Sequence, residues 1–161
     1  MPDTELVIAG RLALDLAWKN GKLAQLTLSW SDGLSPDPDL SPGARALAAA
    51  LADYVAGKPP LWPSLPLDLA PLSAFARDVL LALRDGVPHG ATVSYGNLAR
   101  LAGHPGAARA VGRVMGANPW PLLIPCHRVI GSTGALVGFG ACGLPMKEYL
   151  LGLEGARLAK A

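Results

Sequence analysis

Cysteine is nearly absent from this chain: Cys126 and Cys142 are the only two in 161 residues. Two cysteines cannot make a disulfide framework, so a reducing compartment, the cytoplasm, is expected. Long apolar runs are missing as well. Hydrophobic residues make up 51% of the chain, enough for a core, but charge-free apolar runs such as 46–52 fall far short of the roughly 20 residues a bilayer span takes. No membrane partner is expected. The opening Met1-Pro2-Asp3-Thr4-Glu5 is acidic and lacks a basic segment followed by an apolar one, so no signal peptide is read. There is no internal repeat or low-complexity tract. Residues 1–70 hold neither Cys nor His, which leaves that half without ordinary zinc ligands.

The most consequential absence is of acid. No Asp or Glu lies between Gly86 and Lys147, yet that stretch includes Arg100, Arg109, Arg113, Arg128 and all three histidines. Residues 1–85 carry ten acids against seven bases, so the net charge of +2 hides an acidic front and a basic back. A basic stretch without carboxylates suits a polyanion such as nucleic acid, although a Gly/Ala-rich segment can lack acids by chance.

Against these absences stands Pro125-Cys126-His127-Arg128-Val129-Ile130, entered through the apolar Trp120-Pro121-Leu122-Leu123-Ile124. Thiolate is the reactive form of cysteine, and an imidazole relay is one way to generate it at neutral pH. The same pattern is compatible with an inert buried thiol beside a satisfied core histidine. Met146, Tyr149, Leu150 and Leu153 mark an amphipathic C-terminal helix, and Glu154 falls at the edge of its inward face. A carboxylate there needs a partner. His127 is a candidate, giving a Glu–His–Cys chain; an exposed acid near a helix end is the plain alternative.

The organisation is that of an α+β protein with two parts. Arg11 to Trp30 reads as a β-hairpin turning at Asn20-Gly21, the preferred two-residue hairpin turn. Pro42 to Val55 is an alanine-rich helix capped by Ser41. Gly57 to Pro71 contains five prolines and reads as the connection between lobes. The boundaries expected are 1–70 for a small N-terminal α/β domain (hairpin or sheet plus helix) and 71–161 for a mostly helical C-terminal domain with the DNA-binding and active-site residues. In the second part, Ser73 caps a helix running to about Arg84, with Phe75, Val79, Leu80 and Leu83 on one face. Ser94 precedes a short helix, Tyr95 to Ala102, and Gly103-His104-Pro105-Gly106 turns into a second one from Ala107 to about Gly116. This pair is similar to a winged helix-turn-helix. Arg109 and Arg113 share a face of the second helix. The small residues Ala107, Ala108, Ala110, Gly112 and Gly116 suit close approach to a minor groove, or equally to another helix.

Taken together, Pro-Cys-His-Arg-Val-Ile, Ser94-Tyr95-Gly96, Ala108-Arg109-Ala110-Val111-Gly112, Asn118-Pro119 and Lys147-Glu148-Tyr149-Leu150-Leu151 with Glu154 resemble the O6-alkylguanine-DNA alkyltransferases, over about residues 73–155. The resemblance implies a single-use, cofactor-free protein that flips an alkylated guanine, and O4-alkylthymine too, out of double-stranded DNA from the minor-groove side. It then moves the alkyl group irreversibly to Cys126. By the same resemblance His127 relays the thiol proton through a water, Glu154 holds His127, Asn118 braces the turn, and Tyr95 aids rotation and donates a proton to the departing guanine. Arg109 fills the gap in the base stack. DNA contacts are expected from Tyr95, Ala108, Arg109, Ala110, Gly112, Arg113 and Arg128, and alkyl-base contacts from Met115, Pro121, Val129 and Phe139. No metal is expected: some relatives hold a structural zinc in the first lobe, which here has no Cys or His. A monomer is expected. The loop Val137–Gly143 is one residue longer than in many relatives and has Phe139 where tyrosine is common. Cys142, in that loop, reads most simply as a small apolar residue. Two other readings compete: a module that binds alkylated bases without transfer, against which Cys126 itself argues, and a cysteine hydrolase, which lacks an oxyanion-hole signature.

Overall fold

The computed structural model describes residues 3–134 and 143–156. The chain divides into two compact units, Met1–Ala70 and Pro71–Ala161.

In the first unit, strands β1 (Thr4–Ala9), β2 (Leu12–Lys19) and β3 (Lys22–Trp30) form an antiparallel sheet in the order β1-β2-β3. The hairpin between β2 and β3 turns at Asn20 and Gly21, whose φ values of 51° and 76° are those of a tight turn that asparagine and glycine tolerate. Strand β1 lies ahead of the expected hairpin and adds a third strand to it. Helix α1 (Pro42–Val55) packs on β1 with Ala44, Leu47, Ala50, Leu51 and Tyr54 buried. Ser41 caps it, accepting from Ala44 N at 3.3 Å. The cap is itself fastened by Glu5, 1% exposed, which accepts from Ser41 N (2.6 Å), Ser41 Oγ (2.7 Å) and Trp18 Nε1 (2.8 Å). A carboxylate at a helix N-terminus also complements the helix dipole. The proline-rich segment is more than a connection. Leu67 bridges Leu23 in parallel, Leu23 N donates to Pro66 O at 2.7 Å, and Asp68 N returns to Leu23 O at 3.0 Å.

In the second unit, α2 (Ala74–Gly86), α3 (Tyr95–Leu101), α4 (Ala108–Gly116) and α5 (Gly143–Leu153) surround a two-residue parallel strand pair, β4 (Val93–Ser94) with β5 (Val129–Ile130). Ser73 and Ser94 cap α2 and α3 through their hydroxyls. Val79, Leu80 and Leu83 of α2 are buried; Phe75 is half-buried and meets the His104 ring edge-on at 4.8 Å. His104, in the α3–α4 turn, is also 2.9 Å from Asp78, so the turn is pinned to α2 on two sides. Among the described residues no helix is long and apolar enough to cross a membrane. The architecture is α+β, as expected.

Candidate functional site

The strand pair β4–β5 organises the second unit. Val93 faces Val129 and Ser94 faces Ile130. Tyr95 follows β4 directly and Cys126-His127-Arg128 precedes β5 directly, so two residue pairs bring together segments 31 residues apart. The three residues form one turn of 3-10 helix, held by Cys126 N on Ile124 O (2.8 Å) and Arg128 N on Pro125 O (2.9 Å).

The approach to this turn is fixed by Asn118. Its Nδ2 donates to Ile124 O at 2.9 Å and its Oδ1 accepts from Trp120 N at 3.0 Å, spanning the bend between them. Trp120 is wholly buried, and Leu122, 1% exposed, has φ +79°. A leucine in the left-handed region costs about 1–2 kcal/mol. The fully made hydrogen bonds and buried side chains around it keep the bend in that form.

Cys126 is buried and unpaired in any disulfide. Burial pushes its thiol up to about 11, against the opposing effects of an Asn118 hydrogen bond and the Lys147 charge. The resting side chain is therefore a thiol at neutral pH. Tyr95 is half-buried; burial first, then the Cys126 charge, raise its phenol above the usual value, so it too keeps its proton. A Cβ on Gly112 of α4 would lie 3.9 Å from Tyr95 Cε1, which places the phenol ring against the helix that carries Arg109 and Arg113. Both arginines are exposed, while Val111 and Met115 hold the other side of α4 in the core.

His127 and Glu154 are joined as a fully buried pair, His127 Nε2 donating to Glu154 Oε2. A carboxylate can only accept, so Nε2 carries the hydrogen and Nδ1 keeps its lone pair. That Nδ1 is buried and has no protein hydrogen-bond partner among the described residues. Burial lowers the imidazole's affinity for a proton, partly opposed by Glu154. Glu154 lies one residue beyond the end of α5, where the chain turns back into the unit. Its Oε1 accepts from Arg128 Nε at 2.7 Å and from Gly90 N at 3.3 Å.

The position of Arg128 corrects an expectation. It was placed among the DNA contacts, but it is 6% exposed, and its guanidinium is engaged by Glu154 and by Val87 O at 2.8 Å. A group committed to a buried carboxylate is not offered to phosphate. Lys147, quoted only as part of a motif, is also buried, at 1% exposed, with Nζ donating to Val129 O at 2.6 Å. The signal for it was a lysine set between Met146 and Leu150 on an apolar helix. Met115, Pro121 and Val129 are buried in the same unit. Phe139 and Cys142 lie outside the described residues.

The unit built around this cluster matches a known domain. Residues 74–156 fit the DNA-binding domain of 6-O-methylguanine DNA methyltransferase. The human methylated-DNA–protein-cysteine methyltransferase is 55% identical over 87 residues, 54% of this chain and 42% of the human protein. The protein of that name from Mycolicibacterium paratuberculosis is 48% identical over 113 residues, 68% of this chain and 66% of the relative. The chain thus spans less than half of the human relative it matches. Over nearly the whole chain, the crystal structure of Mycobacterium tuberculosis OGT in complex with DNA is similar, with 38% identity, a TM-score of 0.74, and coverage of 92% of this chain and 90% of that one. With the family's DNA-binding domain extending over half of its length, and a likeness of fold over almost all of it, the chain belongs to the 6-O-methylguanine DNA methyltransferase family.

Proposed function

We propose that the protein repairs DNA by moving the alkyl group of O6-alkylguanine to Cys126, once per molecule, with O4-alkylthymine as a second substrate. The observation that carries this reading is the buried His127, whose Nε2 is held by Glu154 while Nδ1 has no hydrogen-bond partner among the described residues and is left as a base beside a buried thiol. A thiol raised to about 11 is a poor nucleophile at rest. A water between Sγ and Nδ1 carries the proton from one to the other, and Glu154 stabilises the imidazolium that results. The thiolate attacks the alkyl carbon; the S–C bond forms as the C–O6 bond breaks, and the electron pair leaves with the base. Tyr95, whose phenol keeps its proton, donates to that base, and the proton held on His127 balances the exchange. The products are guanine and an S-alkylcysteine. A thioether has no easy route back, so no turnover follows.

The alkylated atom is out of reach in a stacked duplex, so the base is rotated out at a cost of a few kcal/mol. Arg109, exposed on α4, has the length to occupy the gap from the minor groove. The half-buried Ala108, Ala110 and Gly112 let the helix backbone come close, and Arg113 lies one turn further on beside the phosphates. Met115, Pro121 and Val129 line the alkyl-base pocket in this reading. A free nucleophilic thiol fits a reducing cytoplasm. The test is mass spectrometry of the Cys126 peptide after incubation with a duplex holding O6-methylguanine. The expected result is one added methyl per molecule on Cys126, accumulating to one equivalent. Tight lesion binding with no adduct would refute transfer and leave a binding module.

A further inference from the structure

The helix that carries Arg109 begins without the device that starts the three helices before it. Helices α1, α2 and α3 are each capped by a serine hydroxyl, whereas α4 starts from Ala107 with no side-chain cap. The turn ahead of it is glycine-rich: Gly103 and Gly106 both have φ +84°, a conformation glycine adopts without strain. His104 stands between the two. Its N donates to Ala99 O at 2.8 Å and its carbonyl accepts from Ala107 N at 3.2 Å, which joins the end of α3 to the start of α4. Its ring reaches α2. A carboxylate only accepts, so Nε2 donates to Asp78 Oδ2 at 2.9 Å. The ring also meets Phe75 edge-on, with centroids 4.8 Å apart. Phe75 and Asp78 share a face of α2, and the buried Val79, Leu80 and Leu83 anchor that helix in the unit. His104 thus ties the uncapped start of α4 to an anchored helix.

We propose that His104 is a positioning residue for α4: by gripping Asp78 and Phe75 it holds the start of that helix, and with it Arg109, in the pose that enters the duplex. The inference rests on the reading of α4 as the DNA-facing helix. Without the grip the turn samples other poses, and apparent affinity for duplex falls with the fraction of molecules left in the competent one. An exposed ion pair shifts an equilibrium by at most about fivefold, and an edge-on aromatic contact by at most about tenfold. The Asp78 and His104 side chains are 53% and 36% exposed, so solvent screens the pair and the aromatic contact carries the larger share. The grip lies on the α3–α4 turn and not on the Cys126 segment, so the reaction of the thiol itself is unaffected.

The experiment uses the full chain. Methyl transfer from duplex O6-methylguanine is followed in single-turnover mode against DNA concentration, at fixed ionic strength and well below melting. It yields a half-saturating concentration and a maximal rate, and reaction with free alkylated guanine is followed alongside. His104→Ala should raise the half-saturating concentration by about threefold to thirtyfold, with the maximal rate and the free-base reaction within about twofold. Asp78→Asn and Asp78→Ala carry the same charge, but only asparagine keeps an acceptor for Nε2. Asp78→Ala should therefore need at least about twice the DNA that Asp78→Asn needs, even though losing a carboxylate ordinarily favours phosphate. A histidine that contacts phosphate directly predicts no difference between these two variants. A His104→Ala shift below threefold, or a loss falling equally on the free-base reaction, overturns the proposal. So do Asp78 variants less than twofold apart, a comparison that holds even if His104→Ala fails to fold. Arg109→Ala with wild-type affinity for duplex refutes the reading of α4 instead. Wild-type protein that accepts no methyl, but whose duplex titrations rank the variants in the expected order, refutes transfer and leaves the His104 grip in place.

Discussion

Replacing Glu154 by glutamine separates the two things this carboxylate does. Glu154 accepts hydrogen bonds from His127 Nε2, from Arg128 Nε at 2.7 Å and from Gly90 N at 3.3 Å, with none of its side chain exposed. Glutamine brings one acceptor oxygen and one NH2 group. If the oxygen faces Arg128 and Gly90, the NH2 meets the His127 N–H; if it faces His127, the guanidinium loses its acceptor. In both orientations a buried cation loses its counter-charge. Removing one partner of a buried ion pair costs about 3–5 kcal/mol, because the other charge stays in place. Arg128 keeps Val87 O at 2.8 Å, so the lower end is the better figure. Against a domain stability of about 5–15 kcal/mol that is a large share. At roughly 4–8 °C per kcal/mol for a unit of this size, melting should fall by about 12 °C or more. Transfer, measured well below the new transition, should slow by about 10²–10³-fold as the imidazole loses its orienting group. Arg128→Met added to Glu154→Gln removes the stranded charge and should recover a good part of the stability with no recovery of transfer. A Glu154→Gln protein that melts with the wild type and transfers at its rate would refute the role of the buried His127–Glu154–Arg128 triad. So would a double variant that regains transfer together with stability.

Three further outcomes follow from the same geometry. Arg109→Ala should weaken repair of duplex far more than reaction with free alkylated guanine, since the side chain acts on the stack and not on the thiol; equal losses in the two assays would remove it from base rotation. Tyr95→Phe should slow transfer while leaving affinity for lesion DNA within about tenfold if the phenol acts as proton donor, one hydrogen bond being worth about 0.5–1.5 kcal/mol to binding; a loss of about 100-fold or more in a binding titration would assign it to positioning instead. Finally, His127 has its proton affinity lowered by burial, so the unfolded chain binds a proton there more readily than the folded one. That contribution to stability is complete above the ordinary imidazole value of about 6.5 and is lost as pH falls from there toward the folded value. Denaturation between pH 7 and 5 should show the second unit weakening with acid, and a His127→Gln variant should show a smaller slope; an unchanged slope would place the acid sensitivity elsewhere.

What was legible in the sequence divides along a physical line. Helix starts were readable because a cap is a local device: Ser41 before Pro42, Ser73 and Ser94 each accept from an N–H three residues on. Strand β1 was not, because Thr4–Ala9 becomes a strand only through its pairing with Leu12–Ala17, and nothing in its six residues announces the partner. The two-residue pair β4–β5 is shorter than any pattern, yet it sets Tyr95 beside the Cys126 turn.

The same line runs through the site. Cys126 and His127 are neighbours in sequence and stand out in any reading. Glu154 was found by counting from Leu150, although it sits in the turn beyond α5. Arg128 and Lys147 escaped because a charged side chain is outside by default, and only a partner in space overturns that default. Arg128 has Glu154 and Val87; Lys147 has Val129. The two are not equivalent. Arg128 is matched by a carboxylate and serves the order of the pair it holds. Lys147 donates from Nζ to the Val129 carbonyl and so ties α5 to the strand that follows the nucleophile's turn.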